Sequence, residues 1–120
     1  MTERVRFITH QGKQILIVDL SHGSAVEVER IIRALPELVT TRPRGSVLLL
    51  SDFTGASFDE DAIRALKEAA VFDKPYIKKS AWVGAEDLPD VFAQDIMIFS
   101  CRKFPAFKRL KEALTWLVTD

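Results

Sequence analysis

Gly45-Ser46-Val47-Leu48-Leu49-Leu50-Ser51-Asp52-Phe53-Thr54-Gly55-Ala56-Ser57-Phe58 is the stretch on which the fold turns. Val47-Leu48-Leu49-Leu50 is short, apolar and uninterrupted, the pattern of a strand buried on both faces. Ser51 to Ser57 then form a loop at the carboxyl end of that strand. Ser57 followed by Glu60 fits a capping box, and Asp59, Glu60 and Asp61 crowd a first helical turn, where the helix dipole favours acids. Ile63, Leu66 and Ala70 give the following helix one apolar face.

Upstream, residues 5–9 predict a strand and Gln11-Gly12-Lys13 a turn, before the β-branched run Ile15-Leu16-Ile17-Val18 predicts a second strand buried on both faces. Ser24 and Glu27 form a capping box ahead of Val28, Ile31, Ile32 and Leu35, an apolar stripe at helical spacing. Pro36 is expected to kink or restart that helix, and Arg42-Pro43-Arg44-Gly45 to stop it. Downstream, Lys74-Pro75 ends the second helix, residues 76–83 predict a strand closed by Gly84, and Asp87 begins a helix over 88–101 that turns Val91, Phe92, Ile96 and Phe99 inward. Residues 103–107 predict a short last strand. Leu110, Ala113, Leu114 and Leu117, flanked by Trp116, predict a final helix. The order is ββαβαβα with a further short strand before the last helix. It implies one α/β domain over residues 1–120, a sandwich of two or three layers with a mixed, mostly parallel sheet.

Seventeen basic and seventeen acidic residues leave a net charge of zero, with 48% hydrophobic and 28% charged residues, as in an ordinary globular chain. That balance argues against a nucleic-acid partner, which a basic excess usually accompanies. The single cysteine, Cys101, forms no internal disulfide and suits a reducing cytoplasm. No leader and no apolar run near the roughly 20 residues of a membrane span is apparent, so no stable membrane insertion is expected.

Several chemistries can be weighed against the residues. Asp52 at a strand end resembles a receiver phosphoaspartate, but no acidic pair follows the first strand to hold magnesium, and Asp19 alone is a poor magnesium site. His10, His22 and Cys101 lack metal-ligand spacing, although the two histidines fall near strand ends that could share one edge of the sheet. The five glycines form neither a phosphate loop nor a dinucleotide fingerprint, so no cofactor is expected. No nucleophile, base and orienting group stand at credible spacing, which argues against an enzyme. Arg102, Lys103, Lys108, Arg109 and Lys111, interleaved with Phe104 and Phe107, read as solvated cations around core aromatics. The helix over 88–101 is apolar on more than one face, so Phe92, Met97 and Phe99 are expected to line an apolar ligand cavity or a dimer surface.

The hairpin, the stretch quoted above, Lys74-Pro75-Tyr76, Ala81-Trp82-Val83-Gly84 and the closing Glu112-Ala113-Leu114-Thr115-Trp116-Leu117, taken in this order, resemble the STAS-like family of small bacterial proteins related to anti-sigma-factor antagonists. The resemblance covers nearly the whole chain. It implies the same α/β fold, no enzymatic activity, and a protein partner such as a kinase or an anti-sigma-type factor. In the regulatory members a Ser or Thr between a central strand and the next helix is phosphorylated, in a motif of the Asp-Ser-Ser-Gly kind. Asp52-Phe53-Thr54-Gly55 is the matching segment, with Phe53 in place of the first serine, and it puts the phosphoacceptor at Thr54. Ser57 is a second phosphoacceptor candidate, and Asp52, Phe53, Gly55 and Phe58 are the expected partner contacts. A phosphate at Thr54 or Ser57 would sit at a helix start but among Asp52, Asp59, Glu60 and Asp61, suiting a release switch. The family is also similar to lipid-carrier folds of the CRAL-TRIO type, so the alternative is a small carrier of a lipid or other apolar ligand under helix 88–101.

Overall fold

Two runs of four apolar residues, Ile15-Leu16-Ile17-Val18 and Val47-Leu48-Leu49-Leu50, are buried at every position and form the middle of a five-stranded sheet. A computed structural model describes residues 4–85, 94, 96 and 105–119. The strands are β1 (Val5–His10), β2 (Lys13–Asp19), β3 (Val47–Asp52), β4 (Ile77–Val83) and β5 (Ala106–Phe107), in the spatial order β1-β2-β3-β4-β5. β1 pairs antiparallel with β2, and every later pairing is parallel. The hairpin turns on Gln11 and Gly12 at φ 49° and 80°, both left-handed as a two-residue turn between twisted strands requires.

Helix α1 (Ala25–Val39) starts where expected, with the Ser24 hydroxyl accepting from the Glu27 N–H at 3.2 Å. It runs through Pro36 without restarting. An interior proline costs about 3 kcal/mol. Val28, Ile31, Ile32, Leu35 and Val39 are all buried on this helix; at roughly 1.5–3 kcal/mol each, their burial outweighs the defect. Helix α2 (Glu60–Phe72) follows β3, and a 3₁₀ turn at Lys74–Tyr76 leads into β4.

Both β-α-β connections step the same way across the sheet, so right-handed crossovers put α1 and α2 on one face. One core lies there, uniting Leu16, Val18, Val28, Ile32, Leu49, Phe53, Ala62 and Trp82. Arg33, raised above its ordinary pKa chiefly by its hydrogen bond to Glu29, also reaches Glu68 and ties the two helices at their surface. Helix α3 (Leu110–Val118) covers the other face, where Ile15, Ile17, Leu48, Leu50, Ala81 and Val83 meet Ala113 and Leu117. Its last carbonyls accept from distant lysines: Lys13 Nζ donates to Val118 O at 3.0 Å and Lys79 Nζ to Trp116 O at 3.1 Å and to Thr119 O. The sandwich therefore has three layers, α1 and α2, the mixed sheet, and α3.

Some expectations change. The last strand is only Ala106–Phe107, beside Trp82 and Val83. Leu110, expected inward, is 48% exposed because it is the first residue of its helix. Lys108, Arg109 and Lys111 are exposed while Phe107 packs on Trp116 at 5.8 Å, as solvated cations around a packed aromatic require. Most of the helix predicted over 88–101 lies outside the described residues; within that range Gln94 and Ile96 are helical, and Ile96 is fully buried in the α1/α2 core.

Candidate functional site at the carboxyl edge of the sheet

Because β2, β3 and β4 run parallel, their carboxyl ends line up, with Asp19 opposite Asp52 and Asp52 opposite Val83. Among the described strands the spatial order never reverses, so they open no crevice of the switch-point kind. The loops beyond the strands instead lie against one another. Leu20 N–H donates to Asp52 O at 2.9 Å, Phe53 N–H to Val83 O at 2.8 Å, His22 N–H to Thr54 O at 2.8 Å and Ser57 N–H to Gly23 O at 2.9 Å. The ladder thus continues past the strand ends and holds the loop after β3 between its two neighbours.

Thr54 is exposed at the crest of that loop. Its N–H and its hydroxyl both donate to Asp52 Oδ1, at 3.0 and 2.7 Å, an Asx turn closed twice over. Ser21 does the same to Asp19, from N–H at 3.0 Å and from hydroxyl at 2.5 Å. Asp19-Leu20-Ser21 and Asp52-Phe53-Thr54 are therefore the same turn repeated on adjacent strands. Arg4 Nη1 braces the first copy by donating to Ser21 O at 3.0 Å and Asp19 O at 3.2 Å.

Two glycines let the loops approach. Gly84 has φ +72°, and a Cβ built on it would lie 2.6 Å from Thr54 N and would collide with the Thr54 hydroxyl. Gly55 has φ +64°, and its Cβ would strike the ring of His22. Gly84 accepts no side chain without moving the Thr54 loop, and Gly55 none without a strained backbone and a displaced His22 ring.

The expected site residues separate on this edge. Asp52 is half-buried and bound to Thr54, Gly55 is exposed beside His22, and Ser57 is exposed with its N–H on Gly23. Phe53 is not a surface contact: it is fully buried, edge-on to Trp82 with ring centroids 5.0 Å apart. Alternation explains this, since Phe53 continues the inward side of β3 while Thr54 turns out. Phe58 is half-buried against Phe53 at 5.9 Å. It forms part of a depression of about 550 Å³ along α2, with Ile63 and the charged Asp59, Glu60, Arg64, Lys67 and Glu68.

Ser57 does not cap α2. The cap is Asp59, whose carboxylate accepts from Ala62 N–H at 2.8 Å. Thr54 and Ser57 thus both precede the helix start, with Ser57 two residues before the cap. His10 and His22 lie at opposite ends of the sheet, since β1 runs against β2 and His10 pairs with Lys13. Among the described residues no group of three or more His, Cys, Asp or Glu is arranged to hold a metal, and no helix is long and apolar enough to cross a membrane. Phe92, Met97, Phe99 and Cys101 lie outside the described residues. Ser21 joins the edge without having been read as part of it, and the doubled Asp-x-Ser/Thr spacing at two strand ends was the signal; His22 and Gly84, read only as lying at strand ends, join it beside Gly55 and Thr54.

Comparison with protein-family models, with curated proteins and with solved structures returns no match.

Proposed function

We propose that this chain is a non-enzymatic interaction module of the STAS-like kind, whose partner surface is the carboxyl-edge loop from Asp52 to Phe58 and whose switch is phosphorylation of Thr54. The observation that carries the reading is the exposed Thr54 hydroxyl held at 2.7 Å on the Asp52 carboxylate. Phosphorylation replaces that donor by a group of nearly two negative charges. The new phosphate repels the Asp52 carboxylate instead of bonding to it, so the turn must open. Opening pulls on His22 N–H, which donates to Thr54 O, and on the Thr54–Gly84 contact, so the change spreads along the whole edge. The partner contacts are then Asp52, Gly55 and Phe58, with the depression beside Phe58 receiving an apolar side chain. The partner class is a kinase or an anti-sigma-type factor, and the setting is the cytoplasm.

The test is peptide mapping by mass spectrometry of the protein isolated from its own host under phosphatase inhibition. A phosphoryl group on Thr54, absent from a Thr54→Ala chain, supports the switch. An unmodified Thr54 under every growth condition in which the protein is made, or a phosphoryl group only elsewhere, overturns it.

A further inference from the structure

We propose that the chain forms a two-fold dimer by pairing β1 with β1 of a second copy, so that two five-stranded sheets join and the α1 helices lie antiparallel across the axis. β1 ends the sheet on one side, and its pairing with β2 fixes which backbone groups remain free. Asp19 N–H donates to Arg4 O at 2.7 Å, so residues 4, 6, 8 and 10 bond inward to β2. Val5, Phe7 and Thr9 then point their N–H and C=O groups away from β2. Two of the usual protections of such an edge are missing, since β1 contains no proline and its register with β2 runs without a bulge; Arg6 is the one Arg or Lys on the strand.

The surface beside that edge is apolar and self-complementary in charge. A groove of about 310 Å³ lies between Val5 and the outer flank of α1, floored by Ile31, Leu35 and Leu38, with exposed Ala34 at its centre. Arg30 and Glu37 stand at its two ends, exposed, and neither forms an ion pair among the described residues. Arg33 and Arg4, by contrast, pair with Glu29, Glu68 and Glu27. Seven residues along a helix is about 10.5 Å, too far for Arg30 and Glu37 to neutralise each other. A two-fold axis normal to the sheet and passing near Ala34 brings Arg30 onto Glu37 of the partner subunit, and the reverse pair with it. The same axis runs the two β1 edges antiparallel, the sense in which outward N–H and C=O groups pair reciprocally. The small Ala34 side chain lets the two helices approach. A second copy fits this patch on both counts, an edge to extend and charges that match after a two-fold rotation.

Sedimentation velocity of the full chain over a wide concentration range tests the proposal, since every substitution needed lies on an exposed position. The mass is expected to rise from 13.6 kDa to twice that value. Arg30→Glu or Glu37→Arg alone should weaken the dimer about tenfold or more. The double exchange should return the dissociation constant to within about threefold of the parent, and Ala34→Arg should leave only monomer. Hydrogen exchange supplies an independent readout: the Val5 and Phe7 amides should gain protection with dimerisation. A chain that stays monomeric at hundreds of micromolar, a double exchange no tighter than either single one, or a dimer with those amides still exchanging would each overturn the proposal.

Discussion

Thr54 and Asp52 are bound to each other twice, through the backbone N–H at 3.0 Å and the hydroxyl at 2.7 Å, and both bonds end on the same carboxylate oxygen. The turn is therefore held by contacts two residues apart in sequence, on the exposed side of the edge. Such bonds contribute about 0.5–1.5 kcal/mol each, far less than the buried Phe53 beneath them, whose truncation would cost about 3–5 kcal/mol. The loop combines a fixed anchor with a crest that is released at low cost, which is what a switch at Thr54 needs.

Asp52→Ala removes the acceptor of both bonds, whereas Thr54→Ala removes one and leaves the backbone bond. Chemical denaturation should show Thr54→Ala costing about 0.5–1.5 kcal/mol and Asp52→Ala more, about 1–3 kcal/mol. Equal losses, or a larger loss at Thr54, would mean that the carboxylate does not hold this turn.

Gly84→Ala tests the close approach from the other side. The left-handed backbone alone costs about 1–3 kcal/mol for a side chain, and the added Cβ meets Thr54 N at 2.6 Å. The variant should be destabilised by at least that range, with amide shifts at Thr54 and His22 in NMR spectra. A variant as stable as the parent, with Thr54 unshifted, would show that the loops do not touch there.

The cap of α2 separates two readings of one segment. Asp59→Ala should cost about 1 kcal/mol, the usual worth of a capping side chain, because its carboxylate receives the Ala62 N–H. Ser57→Ala should change the thermal midpoint little, since Ser57 is tied to Gly23 through its backbone N–H. The reverse ranking would restore Ser57 as the cap.

The layers were legible because their signals are local. Four consecutive apolar residues at 15–18 and at 47–50 allow little but a doubly buried strand, and Ser24 caps α1 as its spacing with Glu27 implies. The start of α2 was not, because Ser57 and Asp59 both make acceptable caps and only the path of the loop, bound to Gly23 at residue 57, chooses between them. Phe53, expected as a partner contact, lies inside for a related reason: strand alternation persists one residue past β3 and turns it under Trp82. The contribution of His22 depends on the loop after β2 lying against Gly55 in the loop after β3, which no short window of sequence contains.

Pro36 tests the claim that burial carries α1 across its defect. A proline in a helix interior lacks an N–H and crowds the carbonyl four residues earlier, here that of Ile32. Its own carbonyl is well used, accepting from Thr40 N–H at 3.1 Å and from the Thr40 hydroxyl at 2.8 Å, and an alanine would keep both bonds. The ring lines a shallow groove between α1 and α2 with Ile32, Arg33, Ala65 and Phe72, so its removal uncovers little core. Pro36→Ala should therefore stabilise the chain by about 1–2 kcal/mol, part of the roughly 3 kcal/mol ascribed to an interior proline, read as a raised thermal midpoint. A lowered midpoint would mean that the proline itself is needed to lay Leu35 and Val39 on the sheet, and that the helix is fitted to it.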